Sequence, residues 1–392
     1  MNEIKNIYLD NSATTRICDS ALEKYVSVSR ECYGNPSSLH SMGLSAEKEL
    51  DVARSLILSS IGDRDGEVIF TSSGTEANNL AIIGRALSKE RYKKGAKIIS
   101  TMGEHASVFS PIEKLKSMGF KTAFVPTVGG KIDTDALLSE LTPDTVLVSF
   151  MMVNNETGAL YDIAGASKLI KARCPEALIH VDATQSYMKV KFTRRSLGAD
   201  MITLSSHKIR GPKGVGALVI DKSILKARGL APIILGGGQE LGLRSGTENV
   251  PAIASFGEAV RVALATLDAD IQKMNELRNY LIEKIRSAPL LSAISITLPD
   301  SHAPHILNIT VTGIKSETLL HYLSSLGIFI SSGSACSSNS SHTSSALTAY
   351  GKTSDEADSS VRISLCPTNE KSEIDALCDG LASALSKLAR KR

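Results

Sequence analysis

Short apolar runs rich in β-branched residues recur along the first two-thirds of the chain, separated by stretches of helical character. Glu67-Val68-Ile69-Phe70-Thr71 reads as a strand that ends in Ser72-Ser73-Gly74-Thr75-Glu76, and a helix-like run from Ala77 to Ser88 follows. Comparable strand-like runs are Lys97 to Thr101, Thr122 to Val125, Thr145 to Val153, Leu178 to Asp182, Met201 to Leu204 and Val215 to Ile220. Near-continuous apolar strands alternating with helices predict a mainly parallel sheet covered on both faces, a doubly wound α/β domain. Two glycine clusters, Gly229 to Gly238 and Gly242 to Gly246, close that part. From Pro251 a helix is expected to about Ser287. The order then reads strand (Ala293 to Leu298), strand (Ile306 to Val311), helix (Glu317 to Leu326), strand (Val361 to Leu365), helix (Ser372 to Leu388). That order suits a smaller α+β domain. The Ser-rich stretch Ser331 to Ser345 reads as a mobile loop.

Composition narrows the function. A chain of 392 residues suggests two domains or three, and 42% hydrophobic residues suffice for a large core. Forty-four basic against 41 acidic residues leave a formal charge of +3, which gives no electrostatic footprint for nucleic acid or an anionic membrane. The basic end Leu388 to Arg392 reads as solvated. The first ten residues contain no apolar signal-peptide core, and no stretch approaches ~18 uninterrupted apolar residues. Cys18, Cys32, Cys174, Cys336, Cys366 and Cys378 lie far apart with no Cys-x-x-Cys pair. A disulfide framework or Cys-based zinc site is therefore not expected, and a reducing cytoplasm fits best.

In open α/β sheets ligands collect beyond the carboxyl ends of the strands, which singles out Thr75, Asn155, Asp182 and His207-Lys208. Ser73-Gly74-Thr75-Glu76 joins a strand to a helix, so its first N–H groups can face a phosphate. An ordinary helix cap reads equally well. Neither Walker A nor Gly-x-Gly-x-x-Gly spacing is present, which counts against nucleotide-triphosphate and nicotinamide enzymes. Asp182 ends an apolar run, where a carboxylate is costly unless paired with a lysine, an arginine or a protonated ring nitrogen. Lys208 ends the next run; it is a surface lysine or, desolvated in a cleft, a Schiff-base nucleophile. Taken jointly, a phosphate cup, an acid for a pyridinium nitrogen and a Schiff-base lysine are the equipment for pyridoxal phosphate, an electron sink for carbanions.

Eight segments resemble the motifs of cysteine desulfurases. They are Tyr8 to Thr15 (YLDNSATT), Phe70 to Asn79 (FTSSGTEANN), Val153 to Gly158 (VNNETG), His180 to Gln185 (HVDATQ), Ser206 to Gly214 (SHKIRGPKG), Gly236 to Glu240 (GGGQE), Arg244 to Asn249 (RSGTEN) and Ser331 to Ser338 (SSGSACSS). They stand in family order between about residues 7 and 366. The resemblance implies a fold-type I pyridoxal phosphate enzyme of the class V aminotransferase group, acting as a homodimer. It implies a large cofactor-binding domain at 15–255 and a small one from 1–14 and 256–392, carrying the catalytic loop at about 331–345.

By the same resemblance, Lys208 would hold the cofactor as a Schiff base and later move the Cα proton. Asp182 would pair with the pyridine nitrogen. His105, in Gly103-Glu104-His105-Ala106, would stack on the ring and assist proton transfer. Asn155 and Gln185 would lie beside it, with Asn155 also near the substrate. Gly74, Thr75, Ser205 and His207 would hold the phosphate, joined by Thr247 of the partner subunit. Arg362 would clamp the substrate carboxylate, a task suited to its fork geometry. Cys336 would be the nucleophile, taking sulfur from L-cysteine to leave alanine and an enzyme persulfide, and its need for the thiolate implies less activity at acidic pH. No resident metal is expected; a transient iron–sulfur cluster on Cys336 stays open.

The Ser-Ser-Gly-Ser-Ala-Cys context and the long stretch from Cys336 to Arg362 resemble the NifS/IscS branch, which implies several sulfur acceptors. An iron–sulfur scaffold, a tRNA-thiolation enzyme and a DNA-sulfur pathway all stay open as the acceptor. Cys366 stands where the family motif usually has glycine, and the chain stops soon after its last helix, so weaker transfer to a scaffold is expected. Selenocysteine lyase and class V aminotransferase are the alternatives, and a catalytically silent relative is disfavoured by intact Lys208, Asp182, His105 and Cys336.

Overall fold

The computed structural model describes residues 6–88, 95–332 and 344–388. The strands in chain order are β1 (Ile7–Tyr8), β2 (Gly66–Thr71), β3 (Lys97–Thr101), β4 (Lys121–Val125), β5 (Thr145–Met151), β6 (Leu178–Asp182) and β7 (Met201–Ser205). β8 (Gly216–Asp221), β9 (Ile294–Thr297), β10 (Ile306–Val311), β11 (Ile328–Phe329), β12 (Ser331–Ser332) and β13 (Ser360–Ser364) follow. A seven-stranded sheet has the order β2-β8-β7-β6-β5-β3-β4. From β4 to β7 every pairing is parallel. β8 departs from this, running antiparallel to both β7 and β2.

Alternate residues of the sheet enter different cores, as the two-residue period of a strand requires. Ile98, Leu147, Leu218 and Ile220 join Leu80, Val108 and Ile112 from the helices Gly74–Ala86 and Ala106–Ser117. Ile99, Val148, Phe150, Ile179 and Val181 face the other way, onto a core shared with the helices Asp19–Glu31, Ser41–Ser60 and Ile163–Arg173. Both faces being covered accounts for the near-continuous apolar strands. The two helices before β2 are additions to the sequence reading, which placed no element ahead of Glu67.

A second, antiparallel sheet has the order β12-β13-β10-β9 and its own apolar core. The 38-residue helix Val250–Ser287 serves both cores: Val250, Ile253 and Phe256 enter the first, Met274, Leu277 and Leu281 the second. One 18-residue window of this helix is long and apolar enough to cross a membrane, yet half of that window is buried inside the protein. Of the Ser331 to Ser345 stretch, expected as a mobile loop, the described residues are its two ends. Ser331–Ser332 form β12, and Ser344 caps the helix Ser345–Tyr350. Cys336 lies outside the described residues.

The N-terminal segment ties the two sheets together. Leu9 N–H donates to Phe329 O at 2.8 Å and Ser364 N–H to Leu9 O at 2.7 Å, beside β13. Six residues on, Thr15 N–H donates to His207 O at 3.0 Å, beyond the end of β7.

One glycine fixes the turn after β2. A Cβ on Gly216 would lie 2.5 Å from the carbonyl carbon of Ser73 and 2.7 Å from Gly74 N, backbone atoms that cannot rotate away. Gly216→Ala is therefore expected to push the Ser73-Gly74 turn off β8 and to lower stability by about 1–3 kcal/mol. Urea unfolding checks this; an unchanged midpoint would refute the close approach.

Candidate active site

The ends of β2, β3, β5, β6 and β7, together with Arg362 on β13, enclose a cavity of about 440 Å³. It lies where an open α/β sheet places its ligand. Gly74, Thr75, His105, Asn155, Asp182, Gln185, Ser205, His207, Lys208 and Arg362, all singled out from sequence, line this one cavity. Thr247 does not. It is exposed, on a loop tied to the rim by Arg244 Nε donating to Glu76 Oε1 at 2.8 Å.

Asp182 forms the floor at the end of β6 and is only 6% exposed. Asn78 Nδ2 donates to its Oδ2 at 2.8 Å and Thr184 N–H to its Oδ1 at 2.9 Å. Among the described residues no lysine or arginine forms an ion pair with it, so the salt-bridge reading is not what the structure holds. Behind it His180 is buried between Ser149 Oγ at 2.8 Å and Thr203 Oγ1 at 2.9 Å, and burial takes its pKa down to about 4. A neutral imidazole supplies no counter-charge. A carboxylate so placed calls for a cation arriving from the cavity.

His105 caps the helix Ala106–Ser117: its Nδ1 accepts from Ser107 N–H at 3.1 Å. That bond assigns the ring proton to Nε2 in the neutral form. Burial holds its pKa below the ordinary histidine value, with Asp182 opposing and Lys208 assisting. Asn78 links this cap to the floor by also donating to Ser107 Oγ at 2.8 Å.

Lys208 sits on the short turn after β7, and its Nζ donates to Ser12 O at 2.6 Å and Ala13 O at 2.7 Å. Gln185 Nε2 donates to the same Ser12 carbonyl at 3.0 Å, while Gln185 Oε1 is buried without a partner among the described residues. At the start of the helix Gly74–Ala86, Ser73 is the cap, accepting from Glu76 N–H at 3.2 Å. The cap leaves the N–H groups of Gly74 and Thr75 without an intrahelical acceptor, so a Ser73 cap and an anion site at this helix start are compatible. His207 holds Thr14 Oγ1 at 3.1 Å, and burial reinforced by Lys208 and Lys189 lowers its pKa to about 4.

From the second sheet, Arg362 donates through Nη1 to Asn155 O at 2.9 Å and through Nη2 to Asp10 Oδ1 at 2.8 Å. Its Nε is buried without a partner among the described residues.

Sequence reasoning missed several groups of the wall. Glu104 is fully buried, accepting from Thr101 Oγ1 at 2.6 Å and from Met151 N–H at 2.9 Å, and burial lifts its pKa to about 8. Glu156 is half-buried, and desolvation lifts its pKa to about 7. Both stand next to residues that were picked, in Gly-Glu-His-Ala and Asn-Asn-Glu-Thr. Asn78 stands four residues after Gly74, one turn on, and its signal was that spacing.

The chain matches the family Aminotransferase class-V over residues 7–377. It is 36% identical over 382 residues to Cysteine desulfurase IscS 1 of Archaeoglobus fulgidus, which covers 97% of each chain. Among solved structures it resembles a NifS-like protein with a TM-score of 0.89 and 34% identity, over 97% of this chain and 99% of the other. A structure described as SspA in complex with cysteine gives a TM-score of 0.78 and 30% identity, over 93% and 99%.

Glu104 makes a test by pH. Its folded-state value lies above the ordinary 4.5, so the folded protein keeps a proton that the unfolded chain has lost. Its contribution is complete below about 4.5 and is lost as the pH rises through about 8. Glu104→Gln, which keeps an acceptor oxygen, is expected to flatten the decline of melting temperature over that range. An identical pH slope in the variant would refute the assignment.

Proposed function

Because this chain belongs to the class-V aminotransferase family, as one of its cysteine desulfurases, we propose the following division of labour among its residues. The family depends on pyridoxal phosphate and takes sulfur from L-cysteine. Its fold is that of the fold-type I enzymes. The observation that carries the assignment is the buried Asp182 carboxylate, without an ion-pair partner among the described residues and facing a cavity that also holds Lys208 and Arg362.

The donor set fits the cofactor. Asp182 would hold a protonated ring nitrogen. The orphaned Gln185 Oε1 and the Gln185 amide would lie beside the ring with Asn155. Gly74 and Thr75 N–H groups, with Ser205 and His207, would take the phosphate, and Thr247 of a second copy would complete that corner. Pyridoxal phosphate, when bound, supplies an electron sink for the carbon next to the substrate amine.

The chain's own residues do the rest. Lys208 would hold the cofactor covalently and, as a free amine, carry the Cα proton; the Ser12 and Ala13 carbonyls hold that amine at the cavity. His105, neutral with its proton on Nε2, lies over the cavity as stacking group and proton donor. Arg362, pinned by Asp10 and Asn155 O, keeps Nε for the substrate carboxylate. Cys336 is the nucleophile. Its thiolate adds to the substrate sulfur, the Cβ–Sγ pair stays with Cβ, and Cβ takes up one proton and Cα another before release as alanine. The new S–S bond leaves a persulfide for an acceptor protein.

The separation of the cores that flank the first sheet from the core of the second supports a large unit at 15–255 and a small one from 1–14 and 256–392. Exposed Leu39, Leu235 and Leu241 support a homodimer. Free thiols at Cys18, Cys32, Cys174, Cys366 and Cys378 support a reducing cytoplasm.

Alanine formation from L-cysteine with a thiol reductant tests the reading. Wild type is expected to form alanine, Cys336→Ala essentially none, and Lys208→Ala to lack the bound-cofactor absorbance. Equal alanine from wild type and Cys336→Ala would remove Cys336 from the reaction and favour a lyase of the selenocysteine type.

A further inference from the structure

Cys336 is joined to the described chain at Ser332 on one side and Ser344 on the other, and both attachments end at the corner that holds Arg362. On the first side, Ser331 and Ser332 pair in register with Arg362 and Val361. On the second, Ser344 Oγ accepts from Leu347 N–H at 3.2 Å and donates to Glu156 Oε2 at 2.6 Å. A hydroxyl has one proton to give, and this one is given to Glu156. Glu156 in turn follows Asn155, whose carbonyl takes Arg362 Nη1 at 2.9 Å. Glu156 lines the cavity, is half-buried, and among the described residues is acted on by one charged group, the Arg362 guanidinium. Even partial burial of a carboxyl in a cavity wall carries a desolvation cost, and the roles proposed above make no use of it.

We infer that Glu156 is a positioning residue for sulfur transfer: through Ser344 it fixes where the chain carrying Cys336 rejoins the body beside Arg362. Arg362 and the two attachments of the segment that carries Cys336 are then referred to one corner of the protein. Glu156 touches neither the cofactor nor the reacting sulfur. This inference rests on the reading of Cys336 as the nucleophile.

The steps that precede thiol attack have no need of Glu156, whereas alanine release does. The holoenzyme variants Glu156→Ala, Glu156→Gln, Ser344→Ala and the Glu156→Ala/Ser344→Ala pair are compared with Cys336→Ala. Three readouts are taken: the absorbance change of the bound cofactor on adding L-cysteine, the rate of alanine formation, and the melting temperature. Glu156→Ala is expected to keep the absorbance change and its L-cysteine dependence while alanine formation falls about tenfold to a hundredfold, the scale of a misplaced reacting group. Glu156→Gln, which retains an acceptor for Ser344, is expected to recover most of the rate. The double variant is expected to be no slower than the slower single one, since both remove one link.

The pH profile adds a signature. Burial lifts Glu156 to about 7 against the pull of Ser344 and Arg362, so the wild-type rate carries an ionisation near there that Glu156→Gln lacks. Unchanged alanine formation in Glu156→Ala, with Cys336→Ala inactive, would overturn the inference and leave the nucleophile in place. Parallel loss of the absorbance change and of alanine would also overturn it, assigning Glu156 to the substrate site. Alanine from Cys336→Ala would overturn the reading beneath it as well.

Discussion

Residues 9 to 15 are the constraint on which the site depends. They leave the second sheet at Leu9, cross to the carboxyl end of β7, and are hydrogen-bonded at both ends. On the way the Ser12 carbonyl takes both Lys208 Nζ and Gln185 Nε2, Asp10 takes Arg362, and Thr14 takes His207. Charge-assisted bonds such as those of Lys208 and Arg362 contribute roughly 1.5–3 kcal/mol each in favourable settings. Their greater effect here is directional. One short segment aims a lysine from the first sheet and an arginine from the second at the same space.

Burial decides the charges in that space. His105, His180 and His207 are all held below the ordinary histidine value, chiefly by desolvation. Glu104 and Glu156 are pushed the other way by the same cause. Around neutral pH Glu104 therefore stays largely protonated, while Glu156, lifted to about 7, is divided between its two forms. The cavity brings Arg362, paired with Asp10, to the same space as the Asp182 carboxylate, whose hydrogen bonds come from Asn78 and Thr184.

The sequence made the strand-end chemistry legible because it depends on local features: an apolar run, the residue that stops it, and a glycine turn. Asp182, Lys208 and Gly74 stand out in that way. Asn78 and Glu104 do not, since their importance comes from partners 104 and 47 positions away along the chain. Periodicity likewise located Val215 to Ile220 as a strand without revealing its direction, because a strand buried on both faces reads the same either way. The antiparallel sense of β8 is what lets Gly216 meet the Ser73-Gly74 turn. Helices such as Asp19–Glu31 escaped because their apolar positions are sparse: Ala21 and Val28 are its buried residues.

The helix Val250–Ser287 has a mechanical consequence. At 1.5 Å per residue its 38 residues form a continuous rod about 57 Å long. Its first turns are packed in one core and its last turns in the other, and its one proline is at the second helical position, where it introduces no kink. Any rocking of the second sheet against the first must therefore bend this rod or shear one of its two packed ends. The cores behind Arg362 and Asp182 are joined through opposite ends of a single beam, whose stiffness adds to the hold of residues 9 to 15 against any change in their spacing.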